Sequence, residues 1–226
     1  KEDQQPERPG NFEADPNDSV REYLRAIGQH PLLTGPEEVR LALAVERWVQ
    51  LRTLRKEHQD ENGRPPTRTG LAIAIHRSLA SHKGLLSAMN STLDDGNGDG
   101  EATLTHLLSV PRIRQVLDGA LDADFRQSTA LAADLPESEV LSRISSLSAL
   151  SALLPPEMIE ELERRDLAGD PDNASASEAM GSYLEPHRDD LRLRWDEIDR
   201  AGQAASEVLT NSNLRLVVSV ARKYLG

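Results

Sequence analysis

Apolar residues recur along most of this chain at helical spacing. A polar lead-in over residues 1–16 gives way to Val20, Tyr23, Leu24 and Ile27, one stripe at i, i+3, i+4 and i+7. Ser19-Val20-Arg21-Glu22 reads as a capping box and Gly28 as a stop. Pro31 then disfavours helix at His30. Thr34-Gly35-Pro36-Glu37 forms a second capping box and predicts a long helix to about Lys56 or beyond, with Leu41, Ala44, Val45, Trp48 and Leu51 along one side. Asp60 to Pro66 breaks it. Leu71, Ile73, Ile75 and Leu79 predict another helix despite their local alternation. Further helices are expected near 101–109, 111–121, 136–152, 155–167 and 186–204. The closing stretch is apolar on two faces: Asn213, Leu216, Val217, Val220 and Tyr224 form one, and Leu214, Val218, Ala221 and Leu225 the other. Such a helix is normally wrapped by others. Its polar strip is Arg215, Ser219 and Arg222, with Asn213 at the edge. The expected fold is all-α, with no convincing strands and no repeat of fixed period. A buried helix at the chain end predicts a piece of a longer protein.

Composition narrows this picture. The 226 residues suffice for one or two domains, and aromatics are only 3% of them, so the core must be built from Leu, Ala, Val and Ile. Cysteine is absent, which excludes disulfides and thiolate metal sites and fits a reducing cytosol. No apolar run nears the roughly 18–20 residues that span a bilayer, and no signal peptide opens the chain. A soluble, cytoplasmic protein is expected.

The net charge of −12 is unevenly spread. Residues 1–17 carry net −3, 18–56 net +2, 57–204 net −13 and 205–226 net +2. Two mildly basic ends therefore bracket an acidic insert. The overall charge argues against nucleic acid, yet a phosphate responds to the potential within a Debye length of roughly 8–10 Å.

Motifs for metals and catalysis are weak. Asp95-Gly96-Asn97-Gly98-Asp99-Gly100 matches the first half of a calcium loop, but His106 stands where a bidentate Glu is needed, so a flexible acidic loop is the better reading. The six histidines form no i,i+4 pair, which leaves zinc without support. No phosphate-binding glycine loop, nucleophile elbow or nucleophile–base motif occurs. Neither an enzyme nor a cofactor or metal site is expected. Taken alone, Arg21 and Arg25 read as solvated arginines on a short packing helix, and Arg215 and Arg222 as partners of acidic neighbours.

Two blocks change that reading. Asp18-Ser-Val-Arg-Glu-Tyr-Leu-Arg-Ala-Ile-Gly28, with Pro31-Leu-Leu-Thr34 and Glu37-Glu38-Val39, resembles region 1.2 of the primary sigma factors of bacterial RNA polymerase. Asn213-Leu-Arg-Leu-Val-Val-Ser-Val-Ala-Arg-Lys-Tyr224 resembles region 2.1 of the same family. The resemblance covers residues 17–48 and about the last 20, and the stretch between occupies the place of the family's non-conserved insert. Behind a lead-in (1–16) whose polar composition predicts disorder, it implies region 1.2 helices (17–56), an acidic helical insert (57–204) and the start of the minus-ten-binding domain (205–226). It implies promoter-directed transcription initiation, with core RNA polymerase and single-stranded promoter DNA as partners. By matching position, Arg21, Tyr23, Leu24 and Arg25 would meet the discriminator strand, while Glu38, Asn213 and Leu216 would line a pocket for the last, flipped base of the minus-ten element. Guanidinium and aromatic groups suit unstacked bases, and a flipped base needs polar groups at its edge and an apolar wall. Ser19 where the family commonly has Pro, Leu24 where Met is frequent, and Gly35-Pro36 in place of a charged pair are departures. Later family segments have no match. The insert's charge would repel DNA, so it is expected to face away from the strand or to meet a basic surface of polymerase. The competing expectation is a helical protein-binding scaffold that does not bind nucleic acid.

Overall fold

The computed structural model describes residues 32–93, 102–119, 121–165 and 174–225, with the side chains of 174, 216 and 218–225 excepted. It begins with a helix whose start the sequence dictates. The backbone N–H and hydroxyl of Thr34 donate to the Glu37 carboxylate at 2.8 Å and 2.7 Å, and Pro36 sits in the first turn where its missing N–H costs nothing. This helix, α1, runs Gly35–Asn62 and ends where Gly63 adopts φ +66°, a left-handed cap that glycine takes without steric strain.

The insert follows as short helices: α2 (Arg68–Ala80), α3 (Lys83–Leu93), α4 (Leu104–Ser109), α5 (Pro111–Leu117), α6 (Ala123–Ala133), α7 (Glu137–Ser151), α8 (Pro156–Arg165) and α9 (Ala174–Leu184). After a 3₁₀ turn at Glu185–His187 the chain returns in α10, Arg188–Leu225. Among the described residues there is helix and no strand, so the all-α expectation holds. The segment around Leu71–Leu79 is helical as expected, and its alternation reflects burial of Leu71, Ala72, Ile75, His76 and Leu79 on a helix enclosed from two sides. The periodic pattern did not single out α3, α6 and α9, which are short and rich in Ala and Ser.

One apolar cluster holds these helices together. Ile75 and Leu79, Leu86 and Met89, Ile144, Leu147 and Leu150, and Met158 and Leu162 meet Leu51 and Leu54 of α1 and Leu191 and Trp195 of α10. Two polar ties fix the short helices. Glu163 of α8 accepts the free backbone N–H groups of Leu104 (2.7 Å) and Thr105 (3.2 Å) at the start of α4, a carboxylate at a positive helix end. The Trp195 indole N–H donates to the Leu153 carbonyl at 3.0 Å, which pins α10 to the turn after α7.

The most extensive helix–helix contact is between α1 and α10. Both helices carry buried or half-buried residues in alternating three- and four-residue steps: Leu41, Ala44, Trp48, Leu51, Arg55 and His58 on α1, and Leu191, Trp195, Ile198, Gly202, Ala205, Leu209 and Ser212 on α10. That is the seam of a coiled coil, run antiparallel. Gly202 lies against Trp48 and the carbonyl of Ala44, and the Arg55 guanidinium pairs with Asp199 at 2.7 Å farther along. Arg52 stacks over the Trp48 ring at 4.8 Å on the rim.

The continuity of α10 differs from the sequence expectation of a helix ending near 204 and a separate closing one. Gly202 is no stop here. It sits inside the helix because the seam needs a residue without a side chain where the two backbones come closest. Neither α1 nor α10 ends at the boundaries drawn from charge, since both pass through them unbroken.

The capping carboxylate yields a pH prediction. Hydrogen bonds from the Thr34 backbone and then from its hydroxyl hold the Glu37 carboxyl below its usual range, against an opposing effect of burial and with a lesser contribution from Arg40. A lowered folded value means that the cap stabilises above the unfolded value, about 4.3, and that this contribution is lost as pH falls through the folded one. An NMR titration of Glu37 should therefore find a midpoint below that of an unstructured glutamate. A midpoint at or above that value would contradict the cap.

Candidate nucleic-acid interface

The candidate site is the end of the helix pair where α1 begins. Equal counts of residues back from Trp48 to Glu38 and forward from Gly202 reach Ser212, so the antiparallel register sets the first turn of α1 beside the turn of α10 that carries Ser212 and Asn213. Ser212 is buried, at 8% exposure, and continues the seam. Asn213, one position on, is turned outward and exposed, as is Glu38. Among the described residues no hydrogen bond or ion pair holds either side chain. A carboxylate and an amide, both uncommitted, thus lie at one end of a rigid helix pair.

Other predicted site residues lie elsewhere. Arg21, Tyr23, Leu24 and Arg25 fall outside the described residues, as does the first capping box. Leu216 lies in the helical backbone of α10, one turn past Ser212, and its side chain is outside the description. The calcium-loop motif, Asp95 to Gly100, is also outside. Among the described residues no group of three or more His, Asp or Glu side chains is arranged to hold a metal ion. No helix there is long and apolar enough to cross a membrane.

Of the two apolar faces expected for the closing helix, the described side chains are Asn213, Leu214 and Val217. Val217 is 63% exposed and Leu214 half-buried. The register explains this. Counted along the same pairing, α1 reaches its first residue, Gly35, opposite Arg215, so later turns of α10 have no turn of α1 to lean on.

Residues 18–51 match the family model for Sigma-70 factor, region 1.2. The match supports a sigma-70 family factor. The match covers 34 of the 226 residues. The region 1.2 match contains Arg21, Tyr23, Leu24, Arg25 and Glu38, whereas Asn213 and Leu216 lie outside it. No solved structure matches the chain.

Sequence reasoning missed the seam on which this candidate site depends. Its three–four spacing is written in both helices, but Gly202, Ser212, Arg55 and His58 occupy seam positions and disguise it as a polar pattern.

Proposed function

We propose that the chain is part of a primary sigma factor, in which region 1.2 and a region 2.1 helix together meet the melted non-template strand at the discriminator and the end of the minus-ten element. In this reading Arg21, Tyr23, Leu24 and Arg25 hold the discriminator strand. Glu38, Asn213 and Leu216 receive the last base of the element. Core RNA polymerase is the protein partner, reached through the whole sigma factor, and the protein works in the bacterial cytoplasm. The acidic insert, residues 57–204, stands away from the DNA.

One observation supports the reading best. Glu38 belongs to the matched region 1.2, Asn213 belongs to the block resembling region 2.1, and the register of α1 and α10 brings these distant positions to one end with both exposed. A base edge needs such uncommitted donors and acceptors.

Binding of a fluorescent single-stranded promoter oligonucleotide to the 226-residue chain, followed by anisotropy across a salt series, tests it. The wild type should bind weakly and more weakly as salt rises. Arg21→Ala/Arg25→Ala should reduce affinity by about tenfold and flatten the log–log salt slope by about 0.7 for each phosphate that is no longer neutralised. Absence of salt-dependent binding in the wild type would favour the protein-binding scaffold instead.

A further inference from the structure

A second feature lies farther along the helix pair, about 13 Å from Glu38 at the rise of an α-helix. Between α1, the C-cap of α7 and α10 there is a cavity of about 270 Å³, walled by Ala44, Ala152, Ile198 and Ala201. Arg47 of α1 and Arg194 of α10 are both among the residues that line it. Small side chains on three sides keep this space open.

The two arginines are unequally satisfied. Arg194 donates through Nε (3.2 Å) and Nη2 (2.6 Å) to the Ala152 carbonyl, at the negative end of α7. The Arg47 Nε is buried and has no hydrogen-bond partner among the described residues. Leaving a buried donor unpaired is costly, more so when it is charged. Burial and then the neighbouring Arg47 charge make the ionised form of Arg194 less favourable than usual, with Glu197 and Glu157 partly offsetting this. An anion between the two guanidinium groups would satisfy the orphaned donor and relieve the repulsion.

We infer that the cavity formed by Ala44, Arg47, Ala152, Arg194 and Ala201 receives the carboxylate of an acidic side chain presented by a protein partner. A planar carboxylate matches the guanidinium fork. A nucleic-acid phosphate fits less well, for two reasons on the surface itself. Glu197 also lines the opening, and the surrounding insert carries net −13, a field that every phosphate of a strand would feel but that a single carboxylate meets only locally. The inference does not depend on the sigma reading, since it rests on this cavity and not on the Glu38–Asn213 end.

The test follows the Nε–H resonances of Arg47 and Arg194 by NMR in the full chain. The probes are the peptide acetyl-Ala-Glu-Ala-amide, its Gln counterpart and the single strand dT12, all at matched ionic strength. The Glu peptide should shift both resonances saturably and the Gln peptide should not. Arg47→Gln should weaken the peptide by about tenfold, the worth of a charge-assisted hydrogen bond, while Arg64→Gln, in the exposed turn after α1, leaves it unchanged. Arg47→Lys keeps the charge without the fork and should also bind more weakly. Unchanged melting of either Arg47 variant separates impaired binding from impaired folding. No shift with the Glu peptide, equal shifts with the Gln peptide, or tighter binding of dT12 than of the Glu peptide would each overturn the inference.

Discussion

Trp195→Ala should destabilise the chain by about 3–5 kcal/mol, the range for truncating a buried large aromatic. Trp195 is 3% exposed, belongs to the apolar cluster shared by the insert and the long helices, and donates its indole N–H to Leu153 at 3.0 Å. Truncation opens a cavity at the junction of α10 with the turn after α7 and strips a carbonyl of its partner. Trp195→Phe partly separates the two effects. It keeps much of the apolar packing while removing the hydrogen bond and part of the ring volume, so it should cost less than the alanine change, about 1–3 kcal/mol. Urea denaturation followed by far-ultraviolet circular dichroism reads both. A loss below about 1 kcal/mol for the alanine variant, well under that range, would show that the insert does not depend on this anchor.

Gly202→Ala should also destabilise, although helix propensity alone predicts the opposite. Alanine in a helix interior is favoured over glycine by about 0.8–1.0 kcal/mol. Here an added Cβ would lie 2.6 Å from Cγ of Trp48 and 3.1 Å from the Ala44 carbonyl oxygen. Neither neighbour can yield easily, because one belongs to a helix backbone and the other is the root of a packed indole. Overpacking of this kind costs about 1–3 kcal/mol, enough to reverse the propensity gain. Gly202→Val should be worse than Gly202→Ala. Because the seam carries its register on to Ser212, the same change should loosen the Glu38–Asn213 end and weaken single-strand binding along with stability. A raised melting temperature for Gly202→Ala would refute the close approach.

Part of this fold was legible in the residues. The start of α1 could be read because Thr34, Pro36 and Glu37 act on one another within a single turn. Its end falls inside the Asp60–Pro66 break that the sequence marked, and the segment Leu71–Leu79 read as helical despite its alternation. Of the candidate site, the residue identities came from short blocks, and the match over 18–51 supports the first of them. The extent of α10 was not legible, since glycine in a sequence signals either a stop or a close approach and nothing local distinguishes the two. The Arg47–Arg194 cavity was equally hidden: each arginine alone looks like one more charge on a solvated face.

What the sequence by itself determined is therefore the all-helical character, the capping of α1, the charge contrast between ends and insert, and the region 1.2 block. These depend on interactions within a turn or two of the chain, or on composition. Only the tertiary structure decided that α1 and α10 pair antiparallel through Trp48 and Gly202, that Glu38 and Asn213 share an end, and that Val217 stays exposed. Register between residues more than a hundred positions apart is set by which side chains interlock and by which one is missing. No local pattern contains that information.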